Sequence, residues 1–186
     1  MIRIMLDLET LGTRPGAAIT AIGAVAFKGP RDSCNQFYQT IDLKSAVECG
    51  LKIDADAVLW WMKQSNEARA EFSKESKGIG QVFMDFRAWI EQFPADTEIW
   101  GNGSDFDNVL LAEAYQILGY PVPWNFRQNR CYRTMRKLFH TIPFSKPDNP
   151  HNALEDAIAQ AVHLMRIINH AISFGCMQNN TVEDAQ

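Results

Sequence analysis

Strand-like segments lead this chain and helical ones follow, with at least one more strand among them, and that order fits an α/β fold in which helices flank a mixed sheet. Residues 2–8 are apolar and β-branched enough for a buried strand that starts almost at the first residue and ends at acids. Residues 17–27 and 35–41 alternate loosely and read as hairpin-connected neighbours, with Gly29-Pro30 at the turn. Helical spacing then covers 55–72 through Val58, Trp61 and Met62, and 80–93 through Val82, Phe83, Phe86, Trp89, Ile90 and Phe93. Residues 98–100 read as a short strand, 101–104 as a glycine loop, 105–118 and 131–139 as helices, and 142–150 as an irregular Pro-rich connection. A last helix is expected over 152–173, and the polar segment 178–186 is expected to fray.

With 186 residues, 46% hydrophobic and 22% charged, the chain is an ordinary globular one, read here as one domain over 1–175 with a polar tail over 176–186. No secretory signal and no apolar run of membrane-spanning length is apparent, so the expected location is the cytoplasm, away from membranes. Cys34, Cys49, Cys131 and Cys176 show no paired spacing and read as free thiols. The net charge of -4 argues against gripping nucleic acid by bulk electrostatics, an objection that bound divalent cations would remove.

Three short strings carry the chemistry: DLET at Asp7 to Thr10, FDNVLL from Phe106, and HNALEDA from His151. Asp7 and Glu9, two apart on a strand, project from the same face. A lone pair of this kind is more often a surface feature, but here it follows a core-like run where unpaired charge is expensive. Asp107 taken alone is a first-turn acid complementing a helix dipole, and Asp105 competes with it for any role in a site. Asn152 and Glu155 have the spacing of a helix-start box, which leaves His151 on the loop just outside and Asp156 in the first turn. On the helical wheel Leu154, Ile158, Ala161, Met165, Ile168 and Ile172 form the main apolar stripe, with Ala153, Ala157, Leu164, Ile167 and Ala171 as a second face nearer Asp156. Acids gathered from separate segments suit a two-metal phosphoryl-transfer site, in which a nearby imidazole takes a proton from the attacking water.

In order and spacing, including His-x4-Asp, these strings resemble the three motifs of the DEDDh group of proofreading-type 3'-5' exonucleases, which have the ribonuclease H-like fold with a five-stranded mixed sheet. Within that group, WGNGSDFDNVLL and the segment Trp60-Trp61-Met62-Lys63-Gln64-Ser65 look most similar to the exonuclease VIII and phage-type nucleases. The resemblance implies Asp7, Glu9, Asp107 and Asp156 as ligands of two Mg2+ or Mn2+ ions and His151 as general base. It further implies Thr10, Leu11 and Phe106 as contacts to substrate, namely single-stranded DNA or RNA 3' ends from which nucleoside 5'-monophosphates are released. One departure is that Leu11 stands before Gly12 where many relatives carry a second threonine and then glycine.

Other features stay open. Arg127, Arg130, Arg133, Arg136 and Lys137 either track a phosphate backbone or form a solvated helix face. The tryptophans read mainly as core, with base stacking considered for Trp60 or Trp61. A non-catalytic nucleic-acid-binding module and a phosphodiesterase restricted to very short oligonucleotides are the rival readings, and a homodimer is left open.

Overall fold

A computed structural model describes residues 1–29 and 35–183, with only the backbone over 174–183. At its centre is β1 (Arg3–Thr10), flanked by β2 (Ile19–Phe27) and β3 (Asn35–Thr40) on one side and by β4 (Glu98–Gly101) and β5 (Asn129–Cys131) on the other, in the order β3-β2-β1-β4-β5. The hairpin-linked strands run antiparallel, and β4 and β5 run parallel to β1 and to each other. The sheet is therefore mixed and five-stranded, as expected of a ribonuclease H-like α/β fold.

Because side chains alternate along a strand, β1 feeds two cores. Ile4, Leu6 and Leu8 pack with Val82, Phe83 and Phe86 of α4 (Ile79–Ile90) and with Leu110, Leu111 and Tyr115 of α5 (Asp107–Ile117). Met5 faces the other way, toward Tyr132 of α6 (Tyr132–Leu138) and Ala157, Ala161 and Leu164 of α7 (Ala153–Glu183). Asp7 and Glu9 follow Met5 in the alternation, so they emerge on the α7 face.

Between β3 and β4 lie α1 (Leu43–Glu48), α2 (Ala55–Trp61) and α3 (Asn66–Ala70). The single helix expected over 55–72 is thus divided. Ser65 accepts a hydrogen bond from Ala68 N at 3.2 Å and starts a new helix, which passes into a 3-10 turn, Glu71–Ser73. Neither α1 nor β5 was expected, since six and three residues are too few to display a period.

The wheel reading of the last helix also needs correction. Its buried face is Ala153, Ala157, Ala161, Leu164 and Ile167, joined by Gln160 and His163, whereas Leu154 and Ile158 are only partly covered and Ile172 is exposed. The cause lies on the sheet, at Gly23. A Cβ there would fall 2.1 Å from the carbonyl carbon of Ala153, so the strand admits the helix only where both partners are small. The helical backbone also runs past the expected end near Ser173 to Glu183.

Pro30 of the expected turn, Cys34 and residues 184–186 lie outside the described residues, as does the side chain of Cys176; Cys49 and Cys131 are free. No helix among the described residues is long and apolar enough to cross a membrane.

Candidate active site

The alternation of β1, the seat of α7 on Gly23 and the turn from β4 into α5 bring the acids to one end of the sheet. Asp7 pairs in register with Gly23, the residue that admits the start of α7, and this sets Asp156 of the first helical turn over the strand. Carboxylate oxygens from Asp7, Glu9 and Asp156 all lie within 4.8 Å of one another. Asp107 opens α5 beside this group and packs on Gly101, where a Cβ would come 3.1 Å from Asp107 Oδ2 and 2.3 Å from Asn108 Oδ1. Asp105, its competitor from sequence, is exposed, while Asp107 is buried.

Each aspartate has one oxygen held by an N–H donor. Asn102 N donates to Asp107 Oδ2, His151 N to Asp156 Oδ2 and Gln160 Nε2 to Asp7 Oδ1, each at 2.8 Å. His151 reaches its position with φ of 68°, a left-handed backbone that aims its N–H at Asp156. Asn152 caps α7, accepting from Glu155 N at 3.1 Å, and its side-chain amide donates to Tyr38 Oη at 3.2 Å.

The electrostatics are those of crowded acids. Burial, followed by the charges of Asp107, Glu9 and Asp156, raises the Asp7 pKa well above the ordinary range, and the Gln160 hydrogen bond opposes the rise. Burial also dominates at Glu9, pushed up to about 8 with help from Asp156, Glu71 and Asp107. Burial pushes Asp107 up to about 7 against hydrogen bonds from backbone donors and the charge of Arg133. At Asp156 burial again leads, and the rise is opposed by the backbone hydrogen bond and charge of His151. Glu71 differs. Burial would raise it too, but Lys74 at 2.7 Å, with Tyr38 and Asn152, more than offsets that and leaves it lowered.

The His151 ring stands edge-on to Trp60 and Trp61, with centroids 5.1 and 5.9 Å away. Trp61 is core and donates from Nε1 to Thr10 O at 2.9 Å, whereas Trp60 is 46% exposed. A groove of about 540 Å3 leads away from the acids, lined by Glu9, Thr10, Arg14, Trp60, Trp61 and Phe106. Leu11 does not line it. Its backbone is bonded to Ala18 and Asp54, which holds the side chain in the core beneath.

The basic cluster is largely occupied elsewhere. Arg130 pairs with Glu98 at 3.0 Å, and Arg136 and Arg127 lie over the rings of Phe144 and Phe126. Arg133 donates to Asn102 O on the glycine loop, close enough to Asp107 for its charge to act there. Gln160 was missed in the sequence. The available signal was its place four residues after Asp156, hence on the same side of the helix.

An α/β sheet of this order, with acids from β1, α5 and α7 collected at one end, has the architecture of a ribonuclease H-like nuclease. The family model of the Rv2179c-like 3'-5' exoribonuclease domain matches residues 2–168. The chain belongs to that family and is a 3'-5' exonuclease. No curated protein matches it.

Proposed function

We propose that this protein is a metal-dependent exonuclease of the DEDDh type, akin to the exonuclease VIII and phage-type group, which removes nucleoside 5'-monophosphates from single-stranded RNA 3' ends. The observation that carries the reading is the approach of Asp7, Glu9 and Asp156 within 4.8 Å, with no salt bridge to Asp7 or Glu9 among the described residues. An all-oxygen, acidic donor set suits hard divalent ions, so Asp7, Glu9, Asp107 and Asp156 would hold two Mg2+ or Mn2+. When bound, such ions stabilise charge on the attacking and leaving oxygens of an in-line displacement.

The chain's own groups supply the rest. His151, fixed at the rim of the site by its backbone bond to Asp156 and flanked by two indoles, accepts the proton of the attacking water. The water oxygen bonds to the terminal phosphorus, the bond from phosphorus to the 3' oxygen of the preceding nucleotide breaks, and that oxygen is protonated from solvent. Thr10, Phe106 and the exposed face of Trp60 line the groove beside the acids and receive the terminal nucleoside, with Trp60 offering a stacking surface. RNA is preferred to DNA on the strength of the family's description.

The test is a length ladder of 5'-labelled single-stranded RNA and matched DNA, incubated with Mn2+ or EDTA and resolved by length, with the released products identified by chromatography. Stepwise shortening from the 3' end with Mn2+ alone, faster on RNA and yielding 5'-monophosphates, is expected. Equal hydrolysis in EDTA would overturn the metal-dependent reading, and hydrolysis confined to the shortest rungs would favour a phosphodiesterase of very short oligonucleotides.

A further inference from the structure

Gln160 is out of place on its helix face. Its neighbours in the buried stripe are Ala157, Ala161 and Leu164, all fully or nearly covered, and Gln160 itself is only 4% exposed. A methionine or leucine would fill a comparable space without burying an amide. The amide makes one hydrogen bond, from Nε2 to Asp7 Oδ1 at 2.8 Å, while Oε1 is buried with no partner among the described residues. A buried polar group half satisfied in this way is costly, so packing alone does not account for the residue. The amide orientation follows from chemistry, since Oε1 turned to the carboxylate would set acceptor against acceptor.

The comparison with Asp107 and Asp156 shows what the contact does. Their oxygens are held by backbone N–H groups of the loops beside them, whereas Asp7 lies within β1, in register with Gly23 of β2, and accepts from a side chain instead. Gln160, one helical turn beyond Asp156, supplies from α7 the donor that the backbone provides elsewhere. We infer that Gln160 is a positioning residue, which orients Asp7 for divalent-ion ligation through this hydrogen bond; the inference rests on the metal-centre reading above. With one oxygen committed to Gln160, Asp7 presents its remaining lone pairs in a fixed direction, and less ordering is left for ion binding to impose. Hydrogen-bond partners of metal ligands typically change metal affinity or activity by about 10- to 100-fold when removed.

The experiment compares the full-length wild type with Gln160→Met, which keeps length and volume and removes the N–H donor. Mn2+ affinity is measured by calorimetry, kcat and KM are measured on single-stranded RNA across a Mn2+ titration, and urea unfolding is followed in EDTA. The expected result is Mn2+ binding weakened about 10- to 100-fold, KM for RNA within about twofold, kcat recovered by raising Mn2+, and an unfolding midpoint in EDTA no lower than wild type. Mn2+ affinity within twofold of wild type overturns the inference, as does lost activity that Mn2+ does not recover. Gln160→Leu, read the same way, replaces the first variant if that one does not fold. A wild type that neither binds Mn2+ nor hydrolyses RNA defeats the metal-centre reading itself, whereas a competent wild type with an unaltered Gln160→Met variant defeats only the role of Gln160.

Discussion

The two ends of β1 treat buried acid in opposite ways. At the start, where Arg3 is in register with Glu98 of β4, the Glu98 carboxylate is met by Arg3 at 3.3 Å and Arg130 at 3.0 Å and also accepts from Trp100 Nε1. At the far end, Asp7 and Glu9 crowd against Asp107 and Asp156, and like charge adds to burial in raising both pKa values. One acid is neutralised by the protein. Asp7 and Glu9 have no salt bridge among the described residues, and under the proposed reading a divalent cation would supply the missing charge. Glu71, close enough to raise Glu9, follows the Glu98 pattern because Lys74 covers it.

The sharpest way to break this contrast is to neutralise one acid at each end. Asp7→Asn should lower Mn2+-dependent turnover at least ~10^3-fold, equivalent to about 4 kcal/mol of barrier, yet leave the EDTA-treated protein as stable or more so in urea, because a buried like charge is gone. Glu98→Gln should do the reverse, retaining turnover within about twofold and losing about 1–2 kcal/mol of stability, because two guanidinium groups lose their charged partner. Parallel losses of stability in the two variants would mean that both ends are merely structural.

His151→Ala should lower kcat by about 10^2- to 10^4-fold while Mn2+ affinity measured by calorimetry changes little, since in the proposed mechanism the ring would act as a proton acceptor and not as a ligand. An equal collapse of metal binding would assign the ring to the metal centre instead.

The next effect is smaller and acts through geometry. Gly23→Ala should cost about 1–3 kcal/mol in urea unfolding, since a Cβ cannot lie 2.1 Å from the Ala153 backbone and α7 must move off the sheet. Moving the helix carries Asp156 away from Asp7, so Mn2+ affinity should fall with it; retained affinity would separate the helix seat from the acid cluster.

The pH dependence of the metal-free protein gives the mildest test. Glu9 is raised from an ordinary value of 4.5 to about 8 and Asp107 from 3.8 to about 7. Carboxyl groups raised on folding stabilise the native state fully below their unfolded values, and that contribution is lost as pH climbs through the folded ones. In EDTA, melting temperature should therefore fall between pH 3.8, the ordinary value of Asp107, and about 8, the raised value of Glu9. With Mn2+, which binds the deprotonated forms, the slope in the same window should flatten or reverse.

What could be read from the sequence was what short-range chemistry dictates. The apolar run into Asp7 and Glu9, the alternation of β2 and β3, the period of α4 and the cap at Asn152 are local features, and they appear where expected. The misreadings have one local cause and one tertiary cause. The extent of helix 55–72 was misjudged because Ser65 breaks it with a side-chain cap that apolar spacing does not register. The wrong stripe of α7 was favoured because counting large apolar residues ignores that Gly23 requires a small one opposite it. The approach of Asp7, Glu9 and Asp156 follows the same rule: the strings name the acids, but only the Gly23 contact and the β1 alternation put them within reach of each other. The aromatic flank of His151 depends on pairs far apart in sequence and left no local trace, whereas the only trace of Gln160 was its i+4 spacing from Asp156.

The claim that one end of the sheet is built to take divalent ions is tested most directly by calorimetric titration of the EDTA-stripped, dialysed full-length protein with Mn2+ at pH 8, beside Asp7→Asn. Saturable binding of two ions per wild-type chain, and loss of at least one of them in the variant, are expected. No saturable binding to the wild type, or identical isotherms for the two proteins, would contradict that claim.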